Sequence, residues 1–278
     1  METDRNIIDF IKSHMVDLHK KRSRSDGLAI ILFLDIDGTI SEFHIDPEQS
    51  FIAPEILGII EHLNQIIDVF LVTGRSVQQA QHLISPFDWN IAASHGLELY
   101  HQQQTQNLIH FNHTQFNALK KYLREAIDTK IPIRIEEKPF SIALHFREHP
   151  ELESFAQNII KQCLEHYDDF ELKSGKYVFE LVAKGCHKGI AIQHILSQTD
   201  DQNLCPIFIG DDLTDESGFE VINQHHGISI KVGSGLSQAK FRLKNVTAVG
   251  CFLQDLLKEL KVQQHIIGES NVKTHCIV

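Results

Sequence analysis

The sequence predicts an α/β fold: a doubly wound parallel sheet with a smaller α+β module inserted into it. Three observations carry that prediction. Apolar runs such as Ala29 to Leu34 are hydrophobic at every position, as strands covered on both faces must be. These runs alternate with segments of helical periodicity, the signature of βα units. The alternation then breaks in mid-chain, where strand follows strand across turn signals, and resumes afterwards. At 278 residues, 42% hydrophobic and 23% charged, the chain is long and apolar enough for the core this requires.

The elements follow in order. Residues 4 to 21 space Ile7, Ile8, Ile11, Met15 and Leu18 at helical intervals and end in the basic run His19 to Arg22, which predicts an amphipathic helix docked on the body. The first α/β block reads as a strand at Ala29 to Leu34, a helix at Pro54 to Leu63, a strand at Asp68 to Val72 and a helix at Ser76 to Ile84. A short strand at Trp89 to Ala93 leads into Ser94-His95-Gly96 and then Leu97 to Tyr100. The middle segment reads as a helix near Thr114 to Asp128 and strands at Ile133 to Glu137 and Phe140 to Phe146. A helix at Glu151 to His166 and strands near Phe170 to Leu172 and Tyr177 to Leu181 complete it. The turn signals Lys138-Pro139 and Ser174-Gly175 make those strand pairs antiparallel. The second α/β block runs from a helix at Lys188 to Ser197 through a strand at Pro206 to Ile209 and a helix at Ser217 to Asn223 to a strand at Ile228 to Val232. Phe252 to Leu260 is the last helix, and the tail from Ser270 is expected to be mobile. The expected organisation is an N-terminal helical extension at 1–27, a core domain made of 28–102 and 183–262, a cap domain at 103–182 and a C-terminal tail at 263–278.

Composition excludes several classes. Lys and Arg number 26 against 37 Asp and Glu, a formal charge of −11, so no basic field attracts nucleic acid. The apolar runs are far shorter than the roughly 20 residues that span a bilayer, and no apolar leader opens the chain. The expected location is cytoplasmic. Five scattered cysteines, an odd number with no C-x-x-C pair, fit reduced thiols better than a disulfide framework or a zinc site. Most of the 18 histidines, His225 and His226 among them, read as surface residues.

The chemistry concentrates at strand ends. Asp35-Ile36-Asp37-Gly38-Thr39 directly follows the first apolar strand, at the carboxyl end where doubly wound sheets bind ligands. Carboxylates at i and i+2 of an extended segment point the same way, so one can attack an electrophile while the other handles a proton. Ile36 between them points away. Gly210-Asp211-Asp212-Leu213-Thr214-Asp215-Glu216 follows another strand, and its crowded carboxylates suit a hard cation such as Mg²⁺. Asp211 stands nearest the strand end and is the first choice of ligand; a helix cap by Thr214 or Asp215 is compatible with this. Thr73-Gly74-Arg75 offers a hydroxyl and free N–H groups to a phosphate oxygen, and Lys188 can supply a fixed positive charge.

With those residues in view, the chain resembles the haloacid-dehalogenase-like (HAD) phosphatases, whose four motifs match Asp35 to Thr39, Thr73, Lys188 and Gly210 to Glu216. Thr73-Gly74-Arg75, Ser94 to Glu98, Glu136 to Lys138, Ser141 to Arg147, Gly175 to Glu180, His187 to Gly189 and GDDLTDESGF narrow the resemblance to the trehalose-6-phosphate phosphatases, over about residues 28 to 255. The resemblance implies a HAD-like core with an inserted cap, and Mg²⁺-dependent hydrolysis of trehalose 6-phosphate through an aspartyl-phosphate, the last step of trehalose biosynthesis. It makes Asp35 the nucleophile and Asp37 the acid and later base, with Thr73 and Lys188 holding the phosphoryl oxygens. Asp35, Asp37, Asp211 and Asp212 are the implied metal set, and Lys188 is expected to pair with Asp211 or Asp212. Glu136, Lys138, Arg147, Lys176 and Glu180 of the cap, with Arg75 and His95 of the core, are the implied substrate contacts. A trehalose-6-phosphate synthase is the implied functional partner. Another sugar phosphate, such as sucrose phosphate or a glycosylglycerate phosphate, would use the same core, and a non-catalytic sensor would lack these aspartates.

Overall fold

The computed structural model describes residues 7–13, 30–44, 49–127, 130–175, 177–199 and 204–275. It divides into two compact units, one formed by Met1–Gln106 with His187–Val278 and the other by Asn107–Cys186.

The first unit is built on an eight-stranded sheet. Its strands are β1 (Ile30–Leu34), β2 (Asp68–Val72), β3 (Asn90–Ala93), β4 (Glu98–His101), β5 (Gln104–Asn107), β10 (Cys205–Gly210), β11 (Ile228–Val232) and β12 (Phe241–Leu243), in the order β12-β11-β10-β1-β2-β3-β4-β5. All pairings from β12 to β3 are parallel, and β4 returns antiparallel to β3. Winding runs outward from β1 in both directions, so the chain order reverses between β1 and β10, the crevice where such sheets bind ligands.

Alternation of side chains explains why these strands are apolar throughout. Ile30, Leu32, Leu34, Val69, Leu71, Ile207, Ile209 and Ile230 enter one continuous core cluster. That cluster includes residues of α2 (Pro54–Asn64), α3 (Val77–Ile84) and α8 (Val246–His275). On the opposite face Phe33 lies tilted beside Phe70 at 5.8 Å, and Phe208 meets Phe219 at 5.2 Å. Phe219 belongs to α7 (Glu216–Gln224), which packs beside α6 (Lys188–Ser197). A β-carbon on Gly218 would lie 2.4 Å from the Phe208 ring, so α7 reaches the sheet only because that position is glycine.

A helix over 7–13, α1, docks on this body as expected: Ile7, Ile8 and Ile11 are buried, Phe10 packs on Phe241, and Lys12 pairs with Glu259 at 3.0 Å. The rest of the expected 4–21 helix, Met15, Leu18 and its basic end included, lies outside the described residues. The last helix differs from the expected Phe252 to Leu260. It begins at Val246 and continues to His275, because no Gly or Pro stop follows Leu260 until Gly268 and helix formers carry the pattern on. Residues 276–278 lie outside the described residues. No helix of the described residues is long and apolar enough to cross a membrane.

The second unit is a four-stranded antiparallel sheet, β6 (Arg134–Glu137), β7 (Ser141–His145), β9 (Val178–Ala183) and β8 (Phe170–Gly175) in that order, with helices α4 (His113–Ala126) and α5 (Glu153–His166). Ile142, Leu144, Phe179 and Leu181 are buried on one face, as are Phe116, Leu119 and Leu123 of α4 and Ile159, Ile160 and Cys163 of α5. Register places Glu136, Ala143, Glu180 and Lys173 side by side on the other face. A period of two therefore separates an apolar side from a charged one.

Candidate active site

The first unit gathers its ionisable groups at the carboxyl ends of β1 and β10. Asp35 is the first residue beyond β1, its N–H donating to Ile209 O at 3.0 Å across the crevice. Ile36 is fully buried in the core, which leaves Asp35 and Asp37 on the opposite side of the chain. Gly38 turns the chain at φ +82°, and a β-carbon there would sit 2.1 Å from an Asp211 carboxylate oxygen. The glycine is required twice, for its backbone angle and for the space that Asp211 occupies.

Lys188 opens α6 and is buried. Its Nζ donates to Asp35 Oδ1 at 2.6 Å and to Asp215 Oδ1 at 2.7 Å. The expected partners of this lysine, Asp211 and Asp212, are replaced by these two, because Asp215 sits fully buried at the start of α7 and faces the α6 N-terminus. Asp215 Oδ2 accepts the backbone N–H groups of Asp211 and Asp212 at 2.9 and 3.0 Å, tying the acidic loop to the lysine. Asp215 was no candidate ligand in the sequence, although its place four residues after Asp211 in an acidic run was the available signal.

Carboxylate oxygens of Asp35, Asp211 and Asp215 all lie within 4.8 Å of one another. Burial, then the negative charge of Asp215, push the Asp35 carboxyl well above the usual carboxylate range despite Lys188. Burial with Asp212 and Asp215 nearby raises Asp211 to about 6, although Lys188 and the buried Lys231 of β11 pull it down. Burial opposes the charge on Lys188, but Asp215 and Asp35 outweigh it and hold the ammonium charged beyond its ordinary range. Two carboxylates this close with one lysine between them leave negative charge over, the condition a divalent cation satisfies. Asp35, Asp211 and Asp215 each offer one carboxylate oxygen to such a cation, and Asp35 and Asp211 stand directly at the ends of β1 and β10.

Two members of the implied metal set are turned elsewhere. Asp37 accepts a two-pronged Arg75 contact, Nε to Oδ2 at 2.7 Å and the terminal nitrogen to Oδ1 at 2.6 Å, and Ser50 Oγ at 3.0 Å. Asp212 caps the turn at Leu213–Asp215 by accepting Thr214 N–H and Oγ at 2.7 and 2.6 Å. Burial works to raise Asp212, yet Lys188 and the Thr214 contacts prevail and its carboxyl lies below its ordinary value. Asp215 does stand at the N-cap position of α7, as one of the two expected caps, but the side-chain cap is made one turn earlier, by Asp212 on the Leu213–Asp215 turn.

Thr73, buried at the end of β2, accepts the Arg75 N–H at 3.1 Å through its hydroxyl. The His95 ring lies over Gly74, where a β-carbon would meet it at 2.5 Å. Arg75 and His95 thus belong to the same corner of the unit as Asp37. A cavity of about 1040 Å³ between α2 and α8 is lined by none of these side chains.

In the second unit Glu180 of β9 accepts Lys138 Nζ at 2.9 Å and Ser141 Oγ at 2.6 Å on one oxygen. Glu136 of β6 pairs with His145 Nε2 at 2.7 Å, and that hydrogen bond, against some burial, lowers the Glu136 carboxyl. Three of the expected sugar contacts therefore lie in one charged patch, joined by Ser141 and His145, which the sequence reading held only as members of the Ser141 to Arg147 motif and not as contacts. Arg147 is half-buried in the turn after β7. Lys176 lies outside the described residues.

Paired aspartates beyond the central strand, a buried lysine bridging two acidic loops and a doubly wound sheet carrying an insert define a phosphatase of the HAD class. The fold agrees with a solved HAD-superfamily phosphatase from Bacteroides thetaiotaomicron, with a TM-score of 0.58 at 15% identity, covering 87% of this chain and 98% of that one. A solved trehalose-6-phosphate phosphatase related protein aligns at a TM-score of 0.69 and 27% identity over 84% of this chain and 99% of its own. The trehalose-6-phosphate phosphatase of Escherichia coli K12 is 30% identical over 231 residues, 82% of this chain and 87% of the relative. A probable trehalose-phosphate phosphatase of Sinorhizobium fredii is 31% identical over 207 residues, 73% of this chain and 77% of its own length. The trehalose-phosphatase family model matches residues 33–247, and the chain belongs to that family.

Proposed function

We propose that the protein hydrolyses trehalose 6-phosphate to trehalose and inorganic phosphate through a phosphoryl group carried on Asp35. The observation that carries this reading is the buried Asp35, bridged by Lys188 to Asp215 and crowded by Asp211. Asp35 attacks phosphorus, the bond from phosphorus to the sugar oxygen breaks, and Asp37 gives that oxygen its proton. Water then attacks the same phosphorus while Asp37 takes its proton, releasing phosphate and restoring Asp35. Thr73 and Lys188 hold the phosphoryl oxygens and balance their charge. Asp35 and Asp211 would hold Mg²⁺, which when bound supplies charge neutralisation to the phosphoryl group. The residual negative charge of the carboxylate cluster supports that assignment.

Sugar recognition is assigned to the inserted unit, with Glu180, Lys138 and Glu136 as readers of hydroxyl groups and Arg147 and Lys176 as further candidates. A trehalose-6-phosphate synthase would supply the substrate. Burial pushes the thiols of Cys163 and Cys205 up to about 12, which leaves them unreactive and suits a reducing cytoplasm.

Phosphate release with Mg²⁺ and with chelator, across trehalose 6-phosphate, sucrose 6-phosphate, glucose 6-phosphate and an aryl phosphate, tests the reading. Mg²⁺-dependent preference for trehalose 6-phosphate is expected. Preference for another sugar phosphate would discard the assignment of the inserted unit, and turnover of none would discard the enzyme reading.

A further inference from the structure

Glu98 opens β4 and is only 8% exposed, yet it touches none of the groups assigned to the reaction. One of its oxygens accepts Ser94 Oγ at 2.8 Å. The carboxylate also accepts the backbone N–H of Val77, the first residue of α3, and burial holds its proton affinity above the ordinary value. Each of these two contacts fixes one side of Arg75. On the far side, Ser76 caps α3 by accepting the Gln79 N–H, so the Val77 N–H has no partner in that capping box and takes Glu98 instead.

On the near side, Ser94 and His95 both stand in the left-handed region, at φ 50° and 55°. Such non-glycine residues persist only where their surroundings hold them. Here the Ser94 N–H donates to Arg75 O at 2.8 Å and the His95 N–H to Thr73 O at 3.0 Å, while the Ser94 hydroxyl is anchored on Glu98. The left-handed turn and the Thr73-Gly74-Arg75 segment are thus bound back to back, with the His95 ring seated over Gly74. Arg75 emerges from this clamp to place its guanidinium on both oxygens of Asp37. An arginine fork orients a carboxylate only as well as its own backbone is held.

We infer that Glu98 is a positioning residue of the reaction, acting through Ser94 and the α3 N-terminus on Arg75, and through Arg75 on the orientation of Asp37. The inference rests on the reading of Asp37 as the group that protonates the leaving oxygen. It makes a prediction that an ordinary buried carboxylate would not. A sugar leaves as an alkoxide and needs a proton, whereas a nitrophenolate does not, so a misaimed Asp37 penalises the first far more than the second.

The test is the single-turnover rate of leaving-group release from trehalose 6-phosphate and from p-nitrophenyl phosphate, since hydrolysis of the phosphoenzyme needs Asp37 with either substrate, in Glu98→Ala, Glu98→Gln and Ser94→Gly, with Arg75→Lys and its combination with Glu98→Ala. Glycine at position 94 keeps the left-handed angle and removes the hydroxymethyl group that reaches Glu98, so this variant carries the test if Glu98→Ala does not fold. The sugar-phosphate rate is expected to fall about tenfold or more in Glu98→Ala and in Ser94→Gly, with less than about threefold lost on the aryl phosphate. Glu98→Gln, which keeps an acceptor oxygen, restores most of the sugar-phosphate rate. Because Arg75→Lys already breaks the fork, adding Glu98→Ala should cost no more than about twofold further. Equal losses on the two substrates, or losses that multiply with Arg75→Lys, would overturn the inference while leaving the proposed function standing. A wild-type protein that turns over no sugar phosphate would instead bring down the function first and this inference with it.

Discussion

Lys188 bears the heaviest electrostatic load of any single residue described. It is buried between Asp35 and Asp215, and its removal leaves two carboxylates facing each other without a cation. Breaking a buried ion pair from one side is strongly destabilising, so Lys188→Met should lower unfolding free energy by about 3 kcal/mol near neutral pH in the presence of chelator. The pH dependence has a definite sign. Asp35 and Asp215 already have carboxyls raised by burial, and removing Lys188 takes away their main opposing influence. A carboxyl raised in the folded state favours folding at low pH and loses that contribution as pH rises through its folded value. The deficit of Lys188→Met, measured by urea unfolding, should therefore be smaller at pH 5 than at pH 8. An equal deficit at both would contradict the bridging assignment. At this scale the sequence revealed residue types better than pairings. Asp35, Thr73, Lys188 and Asp211 stood out because each sits beside a strand or helix end. The lysine's actual partner, Asp215, depends on how α7 turns toward α6, which no spacing rule encodes.

Among the elements, the inserted sheet shows how a period of two builds a recognition face. Hydrophobic residues of β7 and β9 fill one side, and the alternate positions place Glu136, Glu180 and Lys173 in a row, with Lys138 and Ser141 adding their polar atoms to Glu180. Glu180→Ala removes the acceptor shared by Lys138 and Ser141, so it should lower kcat/KM for trehalose 6-phosphate by about a hundredfold, on the order of 3 kcal/mol, while leaving an aryl phosphate within about threefold. Parallel losses on both substrates would remove this face from sugar recognition. These strands were legible because alternation and the Lys138-Pro139 turn mark them plainly. The last helix was less so: its amphipathic pattern fades after Leu260, and helix propensity carries it on to His275 through Gly268, which a sequence reading takes as a stop. Glu98 was invisible as more than a motif letter, since its contacts reach Ser94 and Val77 from different elements.

For the molecule as a whole, sheet order explains why chemistry gathers where it does. Winding outward from β1 brings the loops after β1 and β10 together at the reversal point, and those loops carry the Asp35 and Asp37 pair and the acidic run Asp211 to Glu216. The central claim is that Asp35 in that crevice accepts the phosphoryl group. The most direct measurement uses Asp37→Asn with a ³²P-labelled aryl phosphate and an acid quench. That leaving group departs without a proton, while the base needed to activate water is gone, so the phosphoryl group should accumulate on the protein. The account predicts hydroxylamine-labile label on the peptide containing Asp35, abolished by a further Asp35→Asn change. Label on any other residue, or label that survives loss of Asp35, would contradict it.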